Sequence, residues 1–129
     1  MKEDYFENKY QKIWLENGII YIVFQPDLHI NMEIAQEFAR VRLKTMKGIT
    51  RPVFSDIRGM KRLDDDARDY WATKEATMFM SGSAILSSNR IQTLFANFYI
   101  KYSKPLVPTK LFTDEAKAIE WLNQYKLIF

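Results

Sequence analysis

Apolar and polar positions fall in short blocks along the chain, and the spacing within the blocks switches between strand-like and helix-like. Tyr10–Leu15 alternates loosely and runs into Glu16-Asn17-Gly18. Asn-Gly between two apolar runs predicts a two-residue hairpin turn, because both positions tolerate positive φ. The next run, Ile19–Phe24 (IIYIVF), is continuous, β-branched and aromatic, as expected of a strand covered on both faces. Pro26 and Asp27 end it. Asn31 offers a helix N-cap, and Glu33 stands in the first turn, where the helix dipole favours negative charge. Ile34, Phe38, Val41 and Thr45 fall at helical spacing and predict a helix over Met32–Met46 with one core-facing stripe, closed by Gly48.

Arg51-Pro52 restarts the chain in extended form, and Val53–Ile57 reads as a second buried strand. Asp64–Asp66 open a segment, Ala67–Phe79, that is helical by propensity but weakly amphipathic, with Lys74 inside its apolar arc. Gly82–Leu86 is a short strand. Ser88 or Asn89 caps a helix over Arg90–Tyr102, whose predicted core stripe is Ile91, Leu94, Phe95, Phe98 and Tyr102. Tyr99 and Ile100 lie outside that stripe. Pro105 ends the helix, Val107–Phe112 is the last strand, and Thr113 caps a final helix that turns Ala118, Leu122 and Tyr125 inward. Alternating elements of this kind predict an α/β fold: a mostly parallel, mixed sheet of about five strands, an N-terminal hairpin on its edge, and helices covering it. The order contains four helices and no linker or repeat, so residues 1–129 read as one domain.

Composition narrows the function classes. At 129 residues with 47% hydrophobic positions, the chain can bury a core, and 15% aromatics point to large rings in that core or on a contact surface. The absence of cysteine removes thiol and disulfide chemistry. Net charge is only +3, with Lys and Arg interleaved among Asp and Glu. That is the pattern of a solvated surface and not of a nucleic-acid interface. The apolar runs are too short for a membrane span, and the charged N-terminus has no apolar leader core, so a cytoplasmic location is expected.

Catalytic and metal signatures are sparse. The Asp64-Asp65-Asp66 run has the chemistry of a cation ligand, but no calcium-loop spacing is present, and capping and dipole compensation of a helix start account for it better. Asp56, Ser87 and Lys104-Pro105 imitate a phospho-acceptor set, but Phe24-Gln25-Pro26 stands where an acidic pair would be needed. His29 is the only histidine. It has no G-x-S-x-G elbow or ligand cluster to serve, and the glycines are too scattered for a phosphate loop. No enzyme, metal or cofactor is therefore expected.

The most informative stretch is Pro52–Ala67, PVFSDIRGMKRLDDDA. With the order of elements, it resembles the STAS domain, the fold of bacterial anti-sigma-factor antagonists. There a buried strand ends in Asp-Leu-Ser-Gly and Asp-Ser-Ser-Gly-Leu opens a helix soon after. Here the strand ends Asp56-Ile57-Arg58-Gly59, and Asp64-Asp65-Asp66-Ala67 opens the helix at the same separation. The stretch Pro108–Leu122 also resembles the final strand and helix of bacterial STAS/SEC14-like single-domain proteins. The resemblance implies a non-enzymatic regulatory module that binds a protein partner through Asp56, Arg58, Gly59, Lys61, Arg62, Asp64, Asp65, Asp66 and Arg68. In the family, a serine at the helix start is phosphorylated to switch binding off. Asp66 stands at that serine and Asp65 at its neighbour, so the switch is expected to be absent, with a fixed charge in its place. The SEC14-like side of the resemblance implies an alternative, a small apolar ligand or lipid. The apolar surface at Phe95, Tyr99 and Ile100 would form the pocket wall under that alternative, or a homodimer face under either reading.

Overall fold

The Asn17-Gly18 turn takes positive φ at both residues, 50° and 79°, and sets the register of the hairpin it closes. That hairpin joins β2 (Gln11–Glu16) to β3 (Ile19–Phe24), with Glu16 opposite Ile19 and Gln11 opposite Phe24. The computed structural model describes residues 1–127. A strand ahead of the hairpin, β1 (Glu3–Glu7), extends the meander antiparallel to β2. β3 then pairs in parallel with β5 (Arg51–Asp56), β5 with β7 (Met80–Leu86), and β7 with β8 (Thr109–Phe112). The six-stranded order is β1-β2-β3-β5-β7-β8. β4 (Leu28–Ile30) and β6 (Met60–Leu63) form a separate parallel pair.

The sheet is thus mixed and mostly parallel, as expected, with one strand more than the predicted five or so. β1 is exposed at every position and offers no alternation to read. β4 and β6 are too short to show a period; β6 also occupies much of what reads as a turn at Arg58–Leu63.

Side chains of β3 divide between two cores. Ile20, Ile22 and Phe24 join Val53, Ile57 and Ile85 beneath α1 (Met32–Met46), while Ile19 joins Phe54, Ala84 and Leu86 beneath α4 (Glu115–Leu122). This two-sided burial explains the unbroken apolar run. α1 matches its predicted bounds. Asn31 Oδ1 accepts from the Ile34 N–H at 2.9 Å, and Lys47 and Gly48, with φ of 54° and 76°, close the helix. The cap of α4 is Asp114 and not Thr113, its Oδ1 accepting from the Lys117 N–H at 3.2 Å.

Two helices differ from expectation. The segment Ala67–Phe79 is helical only at its start, as α2 (Asp65–Tyr70), and continues as irregular turns to Phe79. Side chains divert its backbone groups. Thr73 Oγ1 donates to the Tyr70 carbonyl, and the Arg42 guanidinium donates to the carbonyls of Ala76 and Met78, both at 2.7 Å. Helix α3 (Arg90–Phe98), capped by Asn89, continues as a π-helical turn over Tyr99–Ser103. Four of the five predicted stripe residues, Ile91, Leu94, Phe98 and Tyr102, are exposed, whereas Gln92 and Ala96 are buried. Phe95 and Tyr99 pack partly buried against the α1-side core.

Candidate functional site

The corner after β5 is held from below and from the side. Gly59 sits where a Cβ would overlap the carbonyl oxygens of Phe24 and Gln25, so only glycine lets the β5–β6 turn lie against the end of β3. Gln92, on α3, donates through Nε2 to the carbonyls of Arg58 at 2.7 Å and Met60 at 3.2 Å. The Leu28 N–H donates to the Gly59 carbonyl at 3.0 Å. These contacts fix the turn at the carboxyl ends of the parallel strands, the edge at which open α/β sheets usually engage ligands. A shallow groove runs there between Pro26-Asp27, the Arg58–Lys61 turn and Asn89.

The predicted contact residues separate into three small networks. Asp56 is buried at 6% exposure and takes a two-pronged bond from Arg58: Nε to Oδ1 at 2.9 Å and Nη2 to Oδ2 at 2.8 Å. The Arg58 N–H adds a third bond to Oδ1. These bonds hold the Arg58 guanidinium above its ordinary pKa. Asp64 stands at the N-cap of α2 but makes no cap bond; its Oδ1 instead meets His29 Nε2 at 2.7 Å, with Arg62 Nε 3.9 Å away. Arg68 is the hub of the third network. Its guanidinium reaches Asp65 at 3.0 Å, Asp69 at 3.2 Å and the Ser103 hydroxyl at 3.1 Å, and lies 4.4 Å above the Phe98 ring.

Asp66 Oδ1 accepts from the Ala67 N–H at 2.8 Å. The three aspartates therefore point at three different partners. Among the described residues, no group of three or more His, Cys, Asp or Glu is placed to hold a metal ion. Lys61 and Arg62 are exposed beside them. Nothing in the residue pattern places His29, Asp69, Ser103 or Gln92 at this site. His29 comes to Asp64 only through the β4–β6 pairing, in which His29 stands opposite Arg62. Ser103 reaches Asp69 from the π-helical turn, its hydroxyl donating to Oδ1 at 2.6 Å. That bond and Arg68 lower the Asp69 pKa.

The expected apolar lining is divided. Phe95 and Tyr99 face a cavity of about 100 Å³ on the α1 side of the sheet, together with Phe38, Val53, Trp71 and Arg42, whereas Ile100 does not line it. Tyr99 thus points inward, against the expectation that it lies outside the core stripe. Its hydroxyl donates to the Trp71 carbonyl at 2.8 Å, and burial pushes the phenol well above its ordinary pKa. Arg42 is 3% exposed, and its bonded acceptors, the carbonyls of Ala76 and Met78 and the Met46 sulfur, are all uncharged. Desolvation lowers it to about 10, so it stays cationic at neutral pH. No helix among the described residues is long and apolar enough to cross a membrane.

Residues 13–126 match the family model described as Domain of unknown function (DUF7793). Among solved structures, the chain is similar to an uncharacterized protein of the DUF3478 family with a SpoIIAA-like fold, from Shewanella loihica PV-4. The two are 18% identical over 91% of this chain and 98% of that one, with a TM-score of 0.60. This likeness shows the fold, and it supports the STAS-type architecture read from the sequence. No curated protein matches the chain.

Proposed function

We propose that this chain, which belongs to the DUF7793 family and has a SpoIIAA-like fold, is a non-enzymatic STAS-like domain that regulates by binding a protein partner. The contact surface is the corner from Arg58 to Arg68, backed by the buried Asp56 carboxylate that holds Arg58. The observation that carries this reading is an exposed, charged surface on a fixed backbone. Arg58, Lys61, Arg62 and Asp65 project to solvent, while Gly59 and Gln92 leave the turn beneath them little freedom. Charges held in this way give a partner orientation and selectivity with little ordering cost.

The corner is not built for chemistry. Its one histidine engages Asp64 on a half-exposed surface, and its buried carboxylate is neutralised by Arg58. Asp66 stands where antagonists of the STAS family carry the phosphorylated serine, and Asp65 at its neighbour, so this surface lacks the phosphorylation switch. The test is affinity capture from the native cell with the tagged chain and with an Asp65→Lys/Asp66→Lys variant. The parent chain is expected to retain a specific partner that the variant loses. Capture that survives the double reversal would remove the corner from the interface.

A further inference from the structure

We propose that the outer face of α3, formed by Ile91, Leu94, Phe98 and Tyr102, seats an acidic amphipathic helix of the protein partner. This rests on the interaction reading above and adds the chemistry of what is bound. The residues stand at helical spacings of three, four and four, so they share one face. They are 59%, 67%, 44% and 60% exposed. The aromatic end of the face is held in place: the Phe98 and Tyr102 rings lie 4.5 Å apart, and Arg68 covers Phe98 from the α2 side. A stable row of large aliphatic and aromatic side chains is the usual lining of a surface that receives a helix. It also exceeds the scattered apolar exposure ordinary for a soluble surface.

Charge selects the occupant. The flank away from α2 carries Arg90, Asn97 and Lys101, with Lys104 following, and the sequence has no Asp or Glu from Ala76 through Thr113. On the α2 flank, Asp65 and Asp69 are already engaged by Arg68. A partner gains most by bringing carboxylates to the cationic flank and apolar residues to the centre. The face adjoins the proposed corner through Gln92 and Arg68, so one partner can span both.

The test uses a fluorescent helical peptide with leucines on one face and glutamates elsewhere, and its counterpart with lysines for glutamates. Fluorescence anisotropy with the full chain should show the acidic peptide binding at least about tenfold more tightly, a difference of one decade in Kd. Leu94→Asp should abolish that preference. Leu94 is exposed, so the variant keeps its fold, which circular dichroism verifies. Equal binding of both peptides, binding only to phosphatidylglycerol vesicles, or a parent dimer that Leu94→Asp converts to monomer would each overturn the proposal. If Asp65→Lys/Asp66→Lys loses the native partner while Leu94→Asp keeps it, the helix seat fails and the corner stands. If neither variant loses it, both readings fail.

Discussion

Helices α1 and α3 are both amphipathic in sequence, yet they use their apolar residues in opposite ways. α1 turns Phe38, Val41 and Met46 inward, at 4%, 4% and 1% exposure, while α3 turns Leu94 outward at 67% and buries Gln92 at 2%. The difference lies in what each helix must satisfy. α1 lies over an apolar floor made by β3, β5 and their neighbours, so hydrophobic burial sets its rotation. α3 lies beside the corner, where the carbonyls of Arg58 and Met60 take Gln92. A buried carbonyl left unpaired costs about 1–3 kcal/mol. The Gln92 amide and the small Ala96 bring α3 close to the sheet, so that Phe95 packs inward while Ile91, Leu94 and Phe98 are left outside. An apolar stripe therefore reports which residues favour removal from water, and not whether the same chain covers them.

The sharpest way to break this contrast is at the inward face of α1. Phe38→Ala removes a ring packed 4.7 Å from Phe24 and 5.7 Å from Trp71, beside an existing cavity. We expect a loss of about 3–5 kcal/mol of stability, measured by urea unfolding. A loss below 1 kcal/mol would mean that the α1 face is not the main core. The inward face of α3 should fail through polarity instead. Gln92→Leu keeps most of the volume but leaves two carbonyls unpaired, and should cost about 1–3 kcal/mol. Faster exchange of the Met60 and Leu28 amides should accompany the loss. The outward face of α3 should be almost indifferent: Leu94→Ser should change stability by no more than about 0.5 kcal/mol while weakening any contact made through that face. A large destabilisation would place Leu94 in the core, as the sequence pattern alone suggests.

Much of the fold was legible where local and tertiary preferences agree. Asn17-Gly18, the run Ile19–Phe24 and the capped stripe of α1 each specify one structure, and each is observed. The exposed charges of β1 carry no period, and β4 and β6 exist only because they pair with each other across more than thirty residues. The shortening of the second helix depends on Arg42 reaching carbonyls on a distant segment, which no local propensity encodes. At the corner, the sequence placed Asp56, Gly59 and the aspartate run on one turn through a family resemblance. It could not show that Asp64 faces His29, or that Arg68 joins α2 to the end of α3, because those contacts arise from packing. The same limit applies to α3, where Phe95 faces the core as expected but Ile91, Leu94 and Phe98 lie on the opposite side.

The smallest effect tests the joint that holds the exposed aromatic end of α3 beside α2. The Ser103 hydroxyl bonds to Asp69 Oδ1, and that bond, with a further contribution from Arg68, lowers the Asp69 carboxyl below its ordinary value of 3.8. A carboxylate depressed in the folded state adds stability above its unfolded pKa, and the gain is lost as pH falls through the lower, folded value. The window is therefore acidic, below about pH 4, and neutral-pH stability should be flat with respect to this group. Asp69 is 60% exposed, so solvent screening keeps its contribution within about 0.5 kcal/mol. A carboxyl-carbon NMR titration should place Asp69 below 3.8 in the parent chain and return it toward that value in Ser103→Ala. Arg68 still pairs with Asp69 in the variant, so the return should be incomplete. An Asp69 resonance that titrates identically in both proteins would mean that Ser103 does not reach it. The π-helical turn would then not tie α3 to α2, and the outward face of α3 would lose the support that keeps Phe98 and Tyr102 in one arrangement.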